Sequence, residues 1–159
     1  MATSADKVPM LAEGFRKLTD DLKRVPLFSG LSQRQLRQLA KGFRERQFKP
    51  GTEIVREGQM SGVGFFVIVD GTATVSVGGS EVALLGPGDH FGELALISER
   101  VRSATVTADG PLHCLAMQFW DFRQFAKDNP DVTWKLLQHL VELLAEERSK
   151  RAQAALQAS

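Results

Sequence analysis

The spacing of apolar residues changes twice along the chain. Near the amino terminus Leu11, Phe15, Leu18 and Leu22 recur every three or four positions, which predicts an amphipathic helix that Pro26 stops. Leu27 and Phe28 follow, and Ser32-Gln33-Arg34-Gln35 then reads as a polar cap leading into Leu36, Leu39 and Phe43 on one face of a second short helix. From Arg46 the pattern breaks into short segments separated by turn residues: Pro50-Gly51, Gly58, Asp70-Gly71, Gly78-Gly79, Gly86-Pro87-Gly88 and Asp109-Gly110-Pro111. The runs between them, 53–55, 65–69, 74–77, 82–85, 103–107 and 112–117, are mostly rich in β-branched or aromatic residues and are predicted strands.

Helical spacing returns in the last third. Phe119, Phe122 and Phe125 mark a helix that ends near Asp128-Asn129, and Pro130 occupies a first helical position, where a missing N–H is tolerated. The final helix carries Thr133, Leu136, Leu137, Leu140, Val141 and Leu144 as an apolar stripe, widened by Val132, Trp134 and Leu143. Such a stripe fits packing within one chain or a seam between two helices about equally well.

Helices, then a strand-rich middle, then helices predict an α+β fold: an antiparallel β-roll, a double-stranded jelly-roll-like barrel, flanked by amino-terminal helices and two carboxy-terminal helices. The expected layout is one domain over 11–148, with helices in 11–45, the roll in 46–117 and the last helices in 118–148. Residues 1–10 are expected to be disordered and 149–159 to form a polar helical tail.

Composition narrows the functions available. With 20 basic and 19 acidic side chains in 159 residues the net charge is +1, which gives no global electrostatic reason to bind nucleic acid or an anionic membrane. The amino terminus lacks the layout of a signal peptide and no apolar run is long enough to span a bilayer, so a cytoplasmic protein is expected. The one cysteine, Cys114, lies between Leu112 and Leu115 and is read as a buried strand residue. His90, His113 and His139 are far apart, with no His-x-His pair and no metal-ligand spacing, so no metal site is expected. No nucleophile elbow or Walker-type loop is present, so no catalytic residues and no catalytic cofactor are expected and the chain is not read as an enzyme.

The chemistry concentrates in 91–106, where Phe91-Gly92-Glu93-Leu94-Ala95-Leu96 leads through Arg102-Ser103 to Ala104-Thr105-Val106. Gly92 permits a close backbone approach, and the first N–H groups of a short helical turn at 92–96 can donate to an anion. Arg102 supplies a planar fork suited to a phosphate, and the acceptor-only carboxylate of Glu93 needs a donor, which a ribose hydroxyl provides. The plainer alternatives are an arginine that serves as a surface charge or ion-pair partner and a glutamate that compensates the helix dipole.

This stretch resembles the phosphate-binding cassette of the cyclic nucleotide-binding domain family, which includes bacterial catabolite activators, regulatory subunits of cAMP-dependent protein kinase and cyclic-nucleotide-gated channels. The Pro-Leu-Phe-Ser-Gly-Leu-Ser segment at 26–32 and the helical ends extend the similarity to about 11–148. Val101 departs from the pattern, many members having proline there, and the Gly58-to-Gly71 spacing is one residue longer than usual, with 60–64 as the variable part of an enlarged loop. The resemblance implies a ligand, cAMP rather than cGMP on the habit of Ser103, bound by Gly92, Glu93, Leu94, Ala95, Arg102 and Ser103. Glu93 would take the ribose 2'-OH, Arg102 and the N–H of Ala95 the cyclic phosphate, and Ser103 would add a hydroxyl. Val75, Val82 and Leu85 would lie under the purine or be plain core residues, and Arg148 would stack on the base or remain a solvated charge. The implied role is a sensor capped by the last helix, with no direct DNA contact, no membrane contact and a homodimer through that helix or an effector protein as partner. The rival reading is a nucleotide-independent dimerisation or docking module on the same fold.

Overall fold

A computed structural model of the chain describes residues 12–59, 64–98 and 101–158. The expectations for 1–10 and for the enlarged loop around 60–63 lie outside the described residues. The first helix, α1 (Ala12–Lys23), is followed by a 3-10 turn, Pro26–Phe28, and by α2 (Gln33–Ala40). A reciprocal cap starts α2: Ser32 Oγ accepts from the Gln35 N–H at 3.2 Å and Gln35 Oε1 accepts from the Ser32 N–H at 2.9 Å, satisfying two backbone donors at once.

The strands are β1 (Arg44–Phe48), β2 (Glu53–Val55), β3 (Phe65–Asp70), β4 (Ala73–Val77), β5 (Ser80–Leu85), β6 (His90–Phe91), β7 (Thr105–Ala108) and β8 (Leu112–Met117). They form two four-stranded sheets, β1-β8-β3-β6 and β2-β7-β4-β5, with every pairing antiparallel. Two helices close the chain, α3 (Phe119–Asp128) and α4 (Pro130–Ala158). The α+β roll read from the sequence is therefore present, with two strands added to the six expected. Both are ones whose side chains hide their period: β1 is an edge strand reading Arg-Glu-Arg-Gln-Phe, and β6 has two residues. The roll consequently begins at Arg44, inside the stretch read as helical.

Alternation along β3 and β8 builds two cores. Phe66 faces Ala116 and Ile68 faces Cys114 inside the roll, where they meet Val55, Phe91, Val106 and Ala108. Phe65 pairs with Met117 and Val67 with Leu115 on the opposite face, which buries Leu18 and Leu22 of α1, Leu36 and Leu39 of α2, Phe122 of α3 and Val132 and Leu136 of α4. Because β3 contributes to both cores it is apolar at every position from 65 to 69. Phe65 is fully buried in edge-to-face contact with Phe28 and Phe43, so one ring joins the amino-terminal helices to the sheet.

The first part of α4 is tied down. His139 Nε2 lies 2.6 Å from the Pro26 carbonyl, which can only accept, so that nitrogen carries the proton. Lys135 Nζ donates to Gln35 Oε1 at 3.3 Å. Beyond Leu143 every described residue of α4 is exposed, and the helix continues without a break through the segment read as a tail.

Burial of Cys114 pushes its thiol up to about 12. The folded state thus holds the proton more tightly than the unfolded chain, whose thiol titrates near ~8.5, so stability falls as pH rises through that window, by at most about 1.4 kcal/mol per pH unit. Denaturant titrations from pH 8 to 10.5 should show this decline, and Ellman's reagent at pH 8 should label Cys114 only as fast as the protein unfolds. Immediate stoichiometric labelling of the native protein would contradict its placement inside the roll.

Candidate functional site

Between β6 and β7 the described residues are 92–98, which make one turn outside the strands, and 101–104, which lead back into the roll. Gly92 begins the turn with φ +84°, a left-handed conformation that favours glycine, and a 3-10 turn, Glu93–Leu96, follows. Leu96 anchors the turn in the outer core at 1% exposure, whereas Leu94 and Ile97 remain exposed. Within the turn the Ala95 N–H donates to the Gly92 carbonyl at 3.1 Å and the Ser98 N–H to the Leu94 carbonyl at 3.0 Å.

Arg102 returns the chain to the roll, ahead of β7 rather than in it. Its backbone is fixed on both sides, the N–H donating to the Gln59 carbonyl at 3.0 Å and the carbonyl accepting from the Gly58 N–H at 2.9 Å. Its side chain is 8% exposed, and Nη2 donates to the Gly64 carbonyl at 3.1 Å. Burial lowers the guanidinium below its ordinary value, and the negative charge of Glu93 acts in the opposite direction. The group is a buried cation with a carboxylate in its field.

A cavity of about 450 Å³ opens over this arrangement, lined by Gly92, Glu93, Leu94, Ala95, Ser98, Val101, Arg102 and Ser103. All six residues assigned from the sequence to the ribose phosphate therefore line one cavity, and Ser98 and Val101 join them. Val82 and Arg148 do not line it. Val82 is on β5 and 59% exposed, and Arg148 is on the exposed part of α4. Val75 and Leu85 pack against the core inside the roll. A pocket of this size, with a cation, a carboxylate, a hydroxyl and a tight backbone turn on one wall, can take a small phosphorylated ligand bearing hydroxyl groups.

Two features escaped the sequence reading. Gly64 reads in sequence as the end of a variable loop, yet its carbonyl accepts from Arg102. The second is an apolar pocket of about 390 Å³ behind the turn, where Leu96 and Ile97 face Phe119, Phe122 and Ala126 of α3 and Leu136, Leu137 and Leu140 of α4. The apolar period of both helices was visible, but nothing in it shows which segment they face.

Comparison with known proteins agrees with this geometry. The family model described as cyclic nucleotide-binding domain matches residues 45–129, more than half of the chain. A cGMP-dependent protein kinase of Toxoplasma gondii is 38% identical over 96 residues, 60% of this chain and 10% of that protein, so the chain spans about a tenth of the length of this curated relative. The crystal structure of the N-terminal domain of a transcriptional regulator from Streptomyces coelicolor superposes with a TM-score of 0.73 at 27% identity, covering 82% of this chain and 96% of that one. A cyclic nucleotide-binding-like protein from Brucella abortus superposes with a TM-score of 0.61 at 31% identity, over 69% of this chain and 97% of the other. With its roll, its glycine-opened turn and its buried arginine, the chain belongs to the cyclic nucleotide-binding domain family.

Proposed function

We propose that the chain is a regulatory rather than catalytic unit that senses a cyclic purine nucleotide, held in the cavity above the 93–96 turn. The observation that carries this reading is the convergence of Gly92, Glu93, Ala95, Arg102 and Ser103 on one cavity with a buried guanidinium in its wall. Arg102 meets the cyclic phosphate with its fork, Glu93 accepts from the ribose 2'-OH and Ser103 adds a hydroxyl. The Ala95 N–H already donates to Gly92, so it serves the phosphate by sharing its proton or by opening the turn.

The lean toward cAMP drawn from Ser103 finds no support in the comparisons, since the Toxoplasma relative is a cGMP-dependent kinase. We therefore take cGMP as the first ligand to test and cAMP as the second. Base contacts from Val82 or Arg148 require movement of α4 or the ligand toward them, and ligand coupling then follows from any difference in contacts between the two positions. No described helix is long and apolar enough to cross a membrane, in keeping with the cytoplasmic setting we propose.

The stripe on α4 favours a second property. Trp134, Leu137, Val141 and Leu144, spaced three, four and three apart, are between 52% and 62% exposed, while Val132 and Leu136 on the same helix are buried. That spacing is the seam of a two-stranded coiled coil, and we propose that a second copy of the chain covers it.

Removing the cationic partner of a desolvated pair costs about 2–5 kcal/mol, so Arg102→Ala should weaken cyclic nucleotide binding by roughly thirty-fold to a few thousand-fold in calorimetry. Glu93→Gln should cost less, and its penalty should vanish with the 2'-deoxy ligand. Parent-like affinity in the arginine variant contradicts the phosphate role. In a thermal-shift scan of cGMP, cAMP and 5'-AMP, a cyclic ligand at about a hundred times its dissociation constant should raise the melting point by about 5–10 °C, and no shift with either cyclic nucleotide overturns the reading. Sedimentation should find the parent dimeric at micromolar concentration and Leu137→Glu/Val141→Glu monomeric. A monomeric parent contradicts the seam.

A further inference from the structure

Gly64 stands where the ligand-facing turn, the buried arginine and the start of the carboxy-terminal helices meet. Its carbonyl accepts from Arg102 Nη2 at 3.1 Å. From the other side Gly92 presses on the same group: a Cβ on Gly92 would lie 2.5 Å from the Gly64 oxygen and 2.9 Å from Arg102 Nη1. The Gly64 carbonyl is thus fitted between the backbone that opens the turn and the guanidinium.

The α-carbon of Gly64 is equally confined. A Cβ there would lie 2.5 Å from the Met117 carbonyl oxygen, 2.9 Å from Leu96 Cδ2 and 3.3 Å from the Phe119 backbone nitrogen. The Leu96 methyl could turn aside. Met117 is the end of β8 and Phe119 the first residue of α3, so the two backbone atoms are held by the sheet and by the helix start and have little room to yield. Relief must come from displacement of residue 64, and its carbonyl moves with it.

We propose that Gly64 is a positioning residue for the nucleotide site: lacking a side chain, it lets its carbonyl reach the Arg102 guanidinium and fixes the fork relative to the junction between β8 and α3. The inference rests on the phosphate role of Arg102 given above. Gly64 touches no ligand in this account and acts through the arginine. A fork displaced by a fraction of an ångström loses its paired geometry toward a phosphate although its charge is intact. The confinement also makes Gly64 a point where a shift of α3 and a shift of the arginine are mechanically linked, because both press on one residue.

The test is a double-mutant cycle of Gly64→Ala and Arg102→Ala, read by calorimetry with cGMP and with cAMP and accompanied by melting curves. The expected result is a loss of about 10- to 100-fold for Gly64→Ala in the parent and a loss under about 3-fold when the same change is made in the Arg102→Ala background, since contacting groups that act as one unit are non-additive. A purely structural glycine would give the same loss in both backgrounds, and that result, or parent-like binding by a folded Gly64→Ala protein, overturns the proposal. Parent-like binding by Arg102→Ala alone overturns the phosphate role instead, and the present inference falls with it. Should Gly64→Ala fail to fold, the parent still decides. Nuclear Overhauser contacts from the Arg102 guanidinium protons to the Gly92 α-protons support the arrangement, and their absence from assigned spectra overturns it.

Discussion

A guanidinium held almost out of reach of solvent is the constraint from which the rest of this molecule follows. Taking a cation out of water is unfavourable unless hydrogen bonds and opposite charge replace the lost hydration. Arg102 receives a backbone carbonyl from Gly64 and the field of Glu93, and burial still lowers its proton affinity. Under the proposed function, an anion arriving at the cavity meets a donor already in place, desolvated and oriented, which strengthens the attraction relative to the same pair on an open surface.

The fold supplies that rigidity from two sides. The returning chain runs into β7, which is held between β2 and β4, and the Arg102 backbone is bonded to both Gly58 and Gln59. Across the turn, Leu96 reaches into the core shared by β3 and the helices, so the cavity wall and the surface turned toward α3 and α4 are two faces of one short segment. Leu96, packed in the outer core, is the point through which a displacement of that segment reaches the helical layer, while Ile97 borders the apolar pocket. The amino-terminal helices are tied to the same layer through Phe65 and through the His139 contact with Pro26.

Much of this was legible in the sequence, for identifiable reasons. β3 and β8 announce themselves because both faces are buried, α1 and α2 because one face is, and the 92–96 turn because Gly92 can take the left-handed conformation that begins it. The candidate site was legible as residues that share one cavity because its chemistry is local in sequence, Gly92 and Arg102 standing ten positions apart. What stayed hidden depends on distance. β1 is polar because one edge of it is unpaired, so its period carries no apolar signal. Gly64 lies thirty-eight residues from the arginine it contacts, and a glycine that matters for its carbonyl looks like any loop glycine. Val82 and Arg148 rest on the family resemblance alone, and nothing in the strand or helix period shows that the cavity wall ends before them.

The most direct test of the central claim follows the backbone amides of the isotopically labelled protein in heteronuclear NMR while cGMP, and separately cAMP, is added. The account predicts that the largest shifts fall on residues 92–96 and on Arg102 and Ser103, with smaller ones spreading to Phe119 and Phe122. Largest shifts confined to other surfaces, or spectra unchanged by either nucleotide at millimolar concentration, would contradict it.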